Sequence, residues 1–181
     1  MSYDMRKEIP SIYPSFFSVY TNKFPRFSLL KTSVFPRELL RHSPGKSHIA
    51  STLIRQACLR GYNALFTSGI EIVNYLMAAR AANCLDKALK RYLRPDLVCC
   101  DEIGYLPIDK LGCDLLFQVV IQRHERGSII TTSNKPFKNW TEIFNNDAAV
   151  TSAILDRLLH HSEVVIIEGK SYRMKDRETL H

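Results

Sequence analysis

Glycine is missing from the first 44 residues of this 181-residue chain; all seven glycines lie at or beyond Gly45. A segment without glycine lacks the residue that turns through positive φ or lets a ligand approach the backbone closely. No stretch reaches the roughly 18 consecutive apolar residues of a membrane-spanning helix, so no membrane partner is expected. Pro10 and Pro14 interrupt the apolar character of the amino terminus and no small-residue cleavage site follows, which argues against a secretory signal and for the cytoplasm. The five cysteines (Cys58, Cys84, Cys99, Cys100 and Cys113) are odd in number and lack CxxC spacing, against both a disulfide framework and a zinc site. Cys99 and Cys100 lie in an apolar run, where cysteine acts as a small hydrophobe. No internal repeat or low-complexity tract appears.

What is present suits one soluble domain: 45% hydrophobic and 24% charged residues, with length enough for a core. The net charge of +7 fits an acidic partner such as nucleic acid and equally fits simple solubility. Residues 1–45 carry seven Lys/Arg against three Asp/Glu, which is +4 of that excess.

Composition changes at Gly45. Five of the eight prolines (Pro10, Pro14, Pro25, Pro36 and Pro44) precede it. Proline removes a ladder donor, so residues 1–44 read as divergent and mostly irregular, with a short helix at Phe35–Arg41. Beyond Gly45 the spacing of apolar residues predicts helices over Ser47–Arg60 (stopped by Gly61), Ile70–Ala82, Leu85–Leu93, Asp109–Arg123 and Asp147–His160. Strands are predicted over Asn63–Thr67, Asp96–Cys100, Ser128–Thr132 and Glu163–Ile167, with a short one at Ser171–Met174. Helices alternating with continuously apolar strands imply an α/β fold, a parallel sheet with helices on both faces. The domain is expected over 45–176, with a tail at 177–181.

Two features carry chemistry together. Leu97–Cys100 deliver Asp101 and Glu102 to the carboxyl end of a buried strand, the edge where open α/β sheets bind ligands. Adjacent carboxylates there need a cation or a joint chemical role, the first meeting Mg²⁺ and the second polarising an attacking water. Gly45-Lys46-Ser47 opens a helix, whose free amides and dipole favour phosphate. Lys46 would neutralise phosphate charge and the Ser47 hydroxyl would hold Mg²⁺. The order, GKS first and an acidic strand end some 50 residues on, is far more specific than either part. Asn134, just past the next strand, is placed to orient water, although an Asn in a strand-end turn is common.

DEIGYLP (101–107), LLFQVV (115–120), TTSN (131–134), NWTEIF around Trp140 and ILDRLLHHSEVVIIEGKSYR (154–173) together resemble the IstB-type ATPases, helper proteins of bacterial insertion sequences related to the DnaC helicase loader. The resemblance runs from Gly45 to Asp176. It implies a P-loop NTPase of the AAA+ class that binds ATP and Mg²⁺, forms homo-oligomers on DNA and works with a transposase. It also implies roles: Gly45, Lys46 and Ser47 for phosphate, Ser47 and Asp101 for the metal, Glu102 and Asn134 for hydrolysis. Arg157 is the residue that would reach a neighbouring subunit's nucleotide; a surface pair with Asp156 or a helix cap is its other reading. A helicase loader, or a non-catalytic DNA- or subunit-binding remnant, are the alternatives.

The chain departs from the family pattern upstream. Leu40 and Ser43 stand where the phosphate loop needs glycine, and Pro44 lacks an N–H. Ser33–Leu39, where a buried central strand should run, contains Pro36, Arg37 and Glu38. The expectation is therefore a degraded or missing central strand that leaves two neighbours with open edges, as in an N-terminally truncated or frameshifted product.

Overall fold

Leu97, Val98, Cys99 and Cys100 are all buried, as a strand covered on both faces requires. They begin β3 (Leu97–Ile103) of a five-stranded sheet. The structure is a computed structural model that describes residues 15–20, 45–105, 107–160 and 162–167. In chain order these form β1 (Ser15–Tyr20), α1 (Lys46–Leu59), β2 (Ala64–Ser68), α2 (Gly69–Ala81), α3 (Leu85–Leu93), β3, α4 (Lys110–Arg123), β4 (Ser128–Ser133), a 3₁₀ turn at Phe137–Asn139, α5 (Trp140–Ile143), α6 (Ala148–Leu159) and β5 (Ser162–Ile167).

The sheet order is β2-β3-β4-β1-β5. β2, β3 and β4 pair in parallel. β1 is antiparallel to both β4 and β5. α1 covers one face, packing Ile49, Leu53 and Ala57 on Leu97, Cys99, Ile130 and Ile167. The remaining helices cover the other face, where Ile72, Leu76, Leu115 and Leu116 meet Cys100, Ile103 and Ile129. Period-two alternation along β3 thus serves both cores.

Each of three helices has a start that the sequence supplies. Ser68 and Glu71 form a capping box at α2. The carboxylates of Asp109 and Asp147 accept from Gly112 N and Val150 N at 2.8 and 2.9 Å, opening α4 and α6. Gly61, at φ +83, follows the end of α1 as expected. The helices and strands predicted beyond Gly45 stand within a residue or two, except that β3 runs on through Asp101 and Glu102 to Ile103. Phe35–Arg41, Ser33–Leu39, Ser171–Met174 and the 177–181 tail lie outside the described residues.

The expected parallel sheet with helices on both faces stands in β2, β3 and β4, with two differences: β1 adds an antiparallel strand, and the slot between β4 and β5 is not open. Ser15–Tyr20 (SFFSVY) fills it, from a segment read as irregular. That run has aromatic and β-branched residues with neither proline nor charge, unlike Ser33–Leu39. A strand from further upstream takes the place and enters it backwards. Of the cysteines, Cys99, Cys100 and Cys113 are buried, and burial pushes the Cys100 thiol up to about 12, in keeping with a packing role.

Candidate functional site

At the carboxyl edge the strands end side by side: Ser68 is in register with Asp101, and Ile103 with Ser133. Between Cys100 and Ile103 the β3–β4 register shifts. Glu102 sits within that irregularity at φ +56, a left-handed conformation uncommon outside glycine, and Gly104 follows at φ +94. Two hydroxyls span the gap. Thr132 Oγ1 accepts from Glu102 N at 2.9 Å and donates to Asp101 Oδ1. Ser133 Oγ donates to Ile103 O at 2.6 Å and accepts from Lys135 N at 3.1 Å. Asp101, Thr132 and Ser133 are buried, whereas Glu102 is exposed.

Lys46 is the first residue of α1 and is half-buried; Gly45 caps the helix without a side chain, and Ser47 beside it is half-buried too. Burial pulls the Lys46 ammonium below the ordinary lysine value of 10.5, while Asp101 and then Glu102 pull it back up. The folded chain thus holds the Lys46 proton less firmly than the unfolded chain, so stability should rise with pH as the folded value is passed and level off beyond about 10.5. Lys46→Met removes the penalty. At neutral pH it should melt no lower than the wild type in the absence of nucleotide, with the difference closing in strongly alkaline buffer. A clear drop in melting temperature would show that Lys46 supports the fold instead.

The structure therefore brings Lys46, Asp101 and Glu102 into one electrostatic site. Asn134 is exposed at the end of β4, next to the turn that Ser133 and Lys135 hold. Trp140 Nε1 donates to Lys135 O at 3.2 Å, tying that turn to α5. Arg157 is not brought to Lys46 within this chain. Its Nη1 donates to Ala153 O at 2.9 Å on its own helix, and its guanidinium lies 5.7 Å from the Phe117 ring of α4. Leu40, Ser43 and Pro44 lie outside the described residues.

Sequence reading missed Thr132 and Ser133. The signal was present as paired hydroxyl residues in TTSN, but their partners depend on the irregular register of β3. The donor set suits a metal-bound triphosphate. A 14-residue helix offers its amides and a lysine, with a serine hydroxyl next in line and two carboxylates electrostatically coupled to that lysine. A half-buried lysine held below its ordinary value is one that an arriving polyanion would favour.

The family model described as IstB-like ATP binding protein matches residues 41–179. Over 133 residues the chain is 40% identical to a protein named for ATP binding in insertion sequence IS5376 of Geobacillus stearothermophilus, covering 74% of this chain and 53% of that protein. It is 42% identical over 132 residues to the corresponding protein of insertion sequence IS232 from Bacillus thuringiensis subsp. berliner, covering 73% and 52%. The chain thus spans about half the length of the curated relatives it matches. Among solved structures, a DnaC helicase loader superposes with a TM-score of 0.52 at 19% identity, covering 68% of this chain and 78% of that one. AMPPCP-bound DnaA from Aquifex aeolicus gives 0.53 at 16%, covering 63% and 36%. At such identities these likenesses speak for the fold alone, an α/β fold shared with DnaC and DnaA. On the extent of the family match and the identity to its relatives, the chain belongs to the IstB-like ATP-binding protein family.

Proposed function

We propose that residues 45–176 bind ATP, with the triphosphate against the amino end of α1, and that the chain serves as an insertion-sequence helper. The observation that carries this reading is the placement of Lys46 at the amino end of α1, within electrostatic reach of Asp101 and Glu102 at the carboxyl end of β3. Lys46 and the amides after Gly45 would hold phosphate, and Ser47 and Asp101 would be the ligands for Mg²⁺. That ion, when bound with the nucleotide, would neutralise charge on the phosphates. Glu102 polarises water and Asn134 orients it. Arg157 acts on a neighbouring subunit of a homo-oligomer, for which it must leave Phe117. DNA and a transposase are the proposed partners in the cytoplasm; the relatives' names support the insertion-sequence setting.

Hydrolysis is proposed to be weak. Leu40, Ser43 and Pro44 replace residues suited to wrapping phosphates. β1, being antiparallel, starts beside Ser133 and ends beside Ile129, so it leaves the sheet at the edge away from Asp101. No strand among the described residues leads straight into Gly45.

Thermal unfolding with and without Mg·ATP tests the reading. Nucleotide at a hundred times its dissociation constant stabilises by about 2.7 kcal/mol. For a domain of this size that is a rise of about 5–10 °C. Wild type should show it and Lys46→Ala should not. Negligible response in both would reject the nucleotide site. Salt-sensitive DNA retention by a chain with no nucleotide response would favour the second reading, a non-catalytic DNA-binding module, which the +7 charge supports.

A further inference from the structure

We propose that Thr132 is a positioning residue that sets both carboxylates of the acidic edge through one hydroxyl, an inference that rests on the nucleotide reading above. Adjacent residues of a regular strand point to opposite faces of the sheet. Here Asp101 is buried and Glu102 exposed, and the strand departs from regularity between them. It does so where the β3–β4 register shifts and Glu102 adopts φ +56. A non-glycine residue keeps such a conformation only when its surroundings enforce it. The shift also takes the Glu102 amide out of the regular ladder, and Thr132 Oγ1 receives it at 2.9 Å. The same hydroxyl gives its proton to Asp101 Oδ1. Donor and acceptor capacities are both used, so the hydroxyl has one orientation and passes it to both acids. The Asp101 carboxylate would thereby be held in one orientation for a nucleotide-bound cation. Thr132 itself is 1% exposed and touches no ligand position directly. Partners of this kind fix the orientation of a metal ligand and tune its affinity.

The test has two independent readouts. The first is hydrogen exchange of the Glu102 amide, which needs no nucleotide. In wild type that amide should be protected as well as its β3 neighbours, although its acceptor is a side chain. In Thr132→Val it should exchange at the rate of local opening, and in Thr132→Ser protection should return. An unprotected Glu102 amide in wild type overturns the proposal whether or not either variant folds. The second readout is the Mg²⁺ concentration at which the ATP-induced melting shift is half-maximal. Thr132→Val should raise it about tenfold or more and Thr132→Ser should leave it near wild type. The response to ATP in EDTA should be unchanged by either. A valine variant with wild-type magnesium dependence also overturns the proposal. If wild type shows no nucleotide shift at all, the functional reading fails, while amide protection still decides whether Thr132 holds the acidic pair.

Discussion

Arg123→Met should lower the stability of the chain by about 3–5 kcal/mol, a large part of the roughly 5–15 kcal/mol that holds a typical domain. Arg123 ends α4 and is 1% exposed. Its Nη1 donates to Tyr92 O at 2.6 Å and Pro95 O at 3.0 Å. Its Nη2 donates to Ser128 O at 2.8 Å and Asp96 O at 3.3 Å. One planar fork therefore satisfies carbonyls from the end of α3, the turn into β3 and the start of β4. Burial draws its pKa down to about 10, with Asp96 opposing, so the group remains charged at neutral pH. Methionine fills much of the space but leaves four carbonyls without that donor. Lysine restores the charge and three donors on a single nitrogen, so Arg123→Lys should recover only part of the loss. Urea unfolding followed by the fluorescence of Trp140, the one tryptophan and 1% exposed, measures both. A methionine variant within about 1 kcal/mol of wild type would show that the fork is dispensable.

Gly104→Ala is expected to cost about 2–5 kcal/mol, from two sources that a double variant separates. The first is backbone: φ is +94 at Gly104, outside the regions that L residues occupy readily. The second is space, because an added Cβ would lie 2.4 Å from Ile143 Cδ1 and 3.1 Å from its Cγ1. Ile143 is 1% exposed, and its own carbonyl accepts from Ile108 N at 2.9 Å, so it has little room to retreat. Ile143→Val removes the Cδ1 atom. In the Gly104→Ala background it should relieve part of the cost, and the coupling between the two positions should exceed about 0.5 kcal/mol. Additive costs would assign the whole penalty to backbone strain. Since Gly104 follows the acidic pair closely, Gly104→Ala should also weaken the ATP-dependent melting shift.

Much of this architecture was legible from local pattern. Leu97–Cys100 is apolar without a break, which fits a strand buried on both faces, and the acids after it had to emerge at a sheet edge. The Lys46–Leu59 helix showed its buried stripe through Ile49, Leu53 and Ala57. Neither inference needed distant contacts. The irregularity at Glu102 was not legible, because a residue other than glycine gives no sign of a positive φ; it depends on the contact with Thr132, thirty residues away. The lodging of Arg157 against Phe117 likewise depends on how α6 packs on α4. α5 escaped notice because four residues are too few to show a period. The direction of β1 was beyond local reading altogether. SFFSVY favours a strand, but nothing within it distinguishes up from down.

That reversed strand also governs the order in which the molecule can be made. Phe16 pairs with Ser133 on one side and Ile166 on the other, more than a hundred residues later in both cases. On the ribosome β1 emerges first, yet neither mate exists until most of the chain has been synthesised. Bringing such distant segments together incurs a large loop-closure entropy before any pairing rewards it. This side of the sheet is consequently its last part to close. Until then β4 and β5 present bare backbone to one another's neighbours, and the nascent chain passes through an interval in which it is a ready template for its own copies.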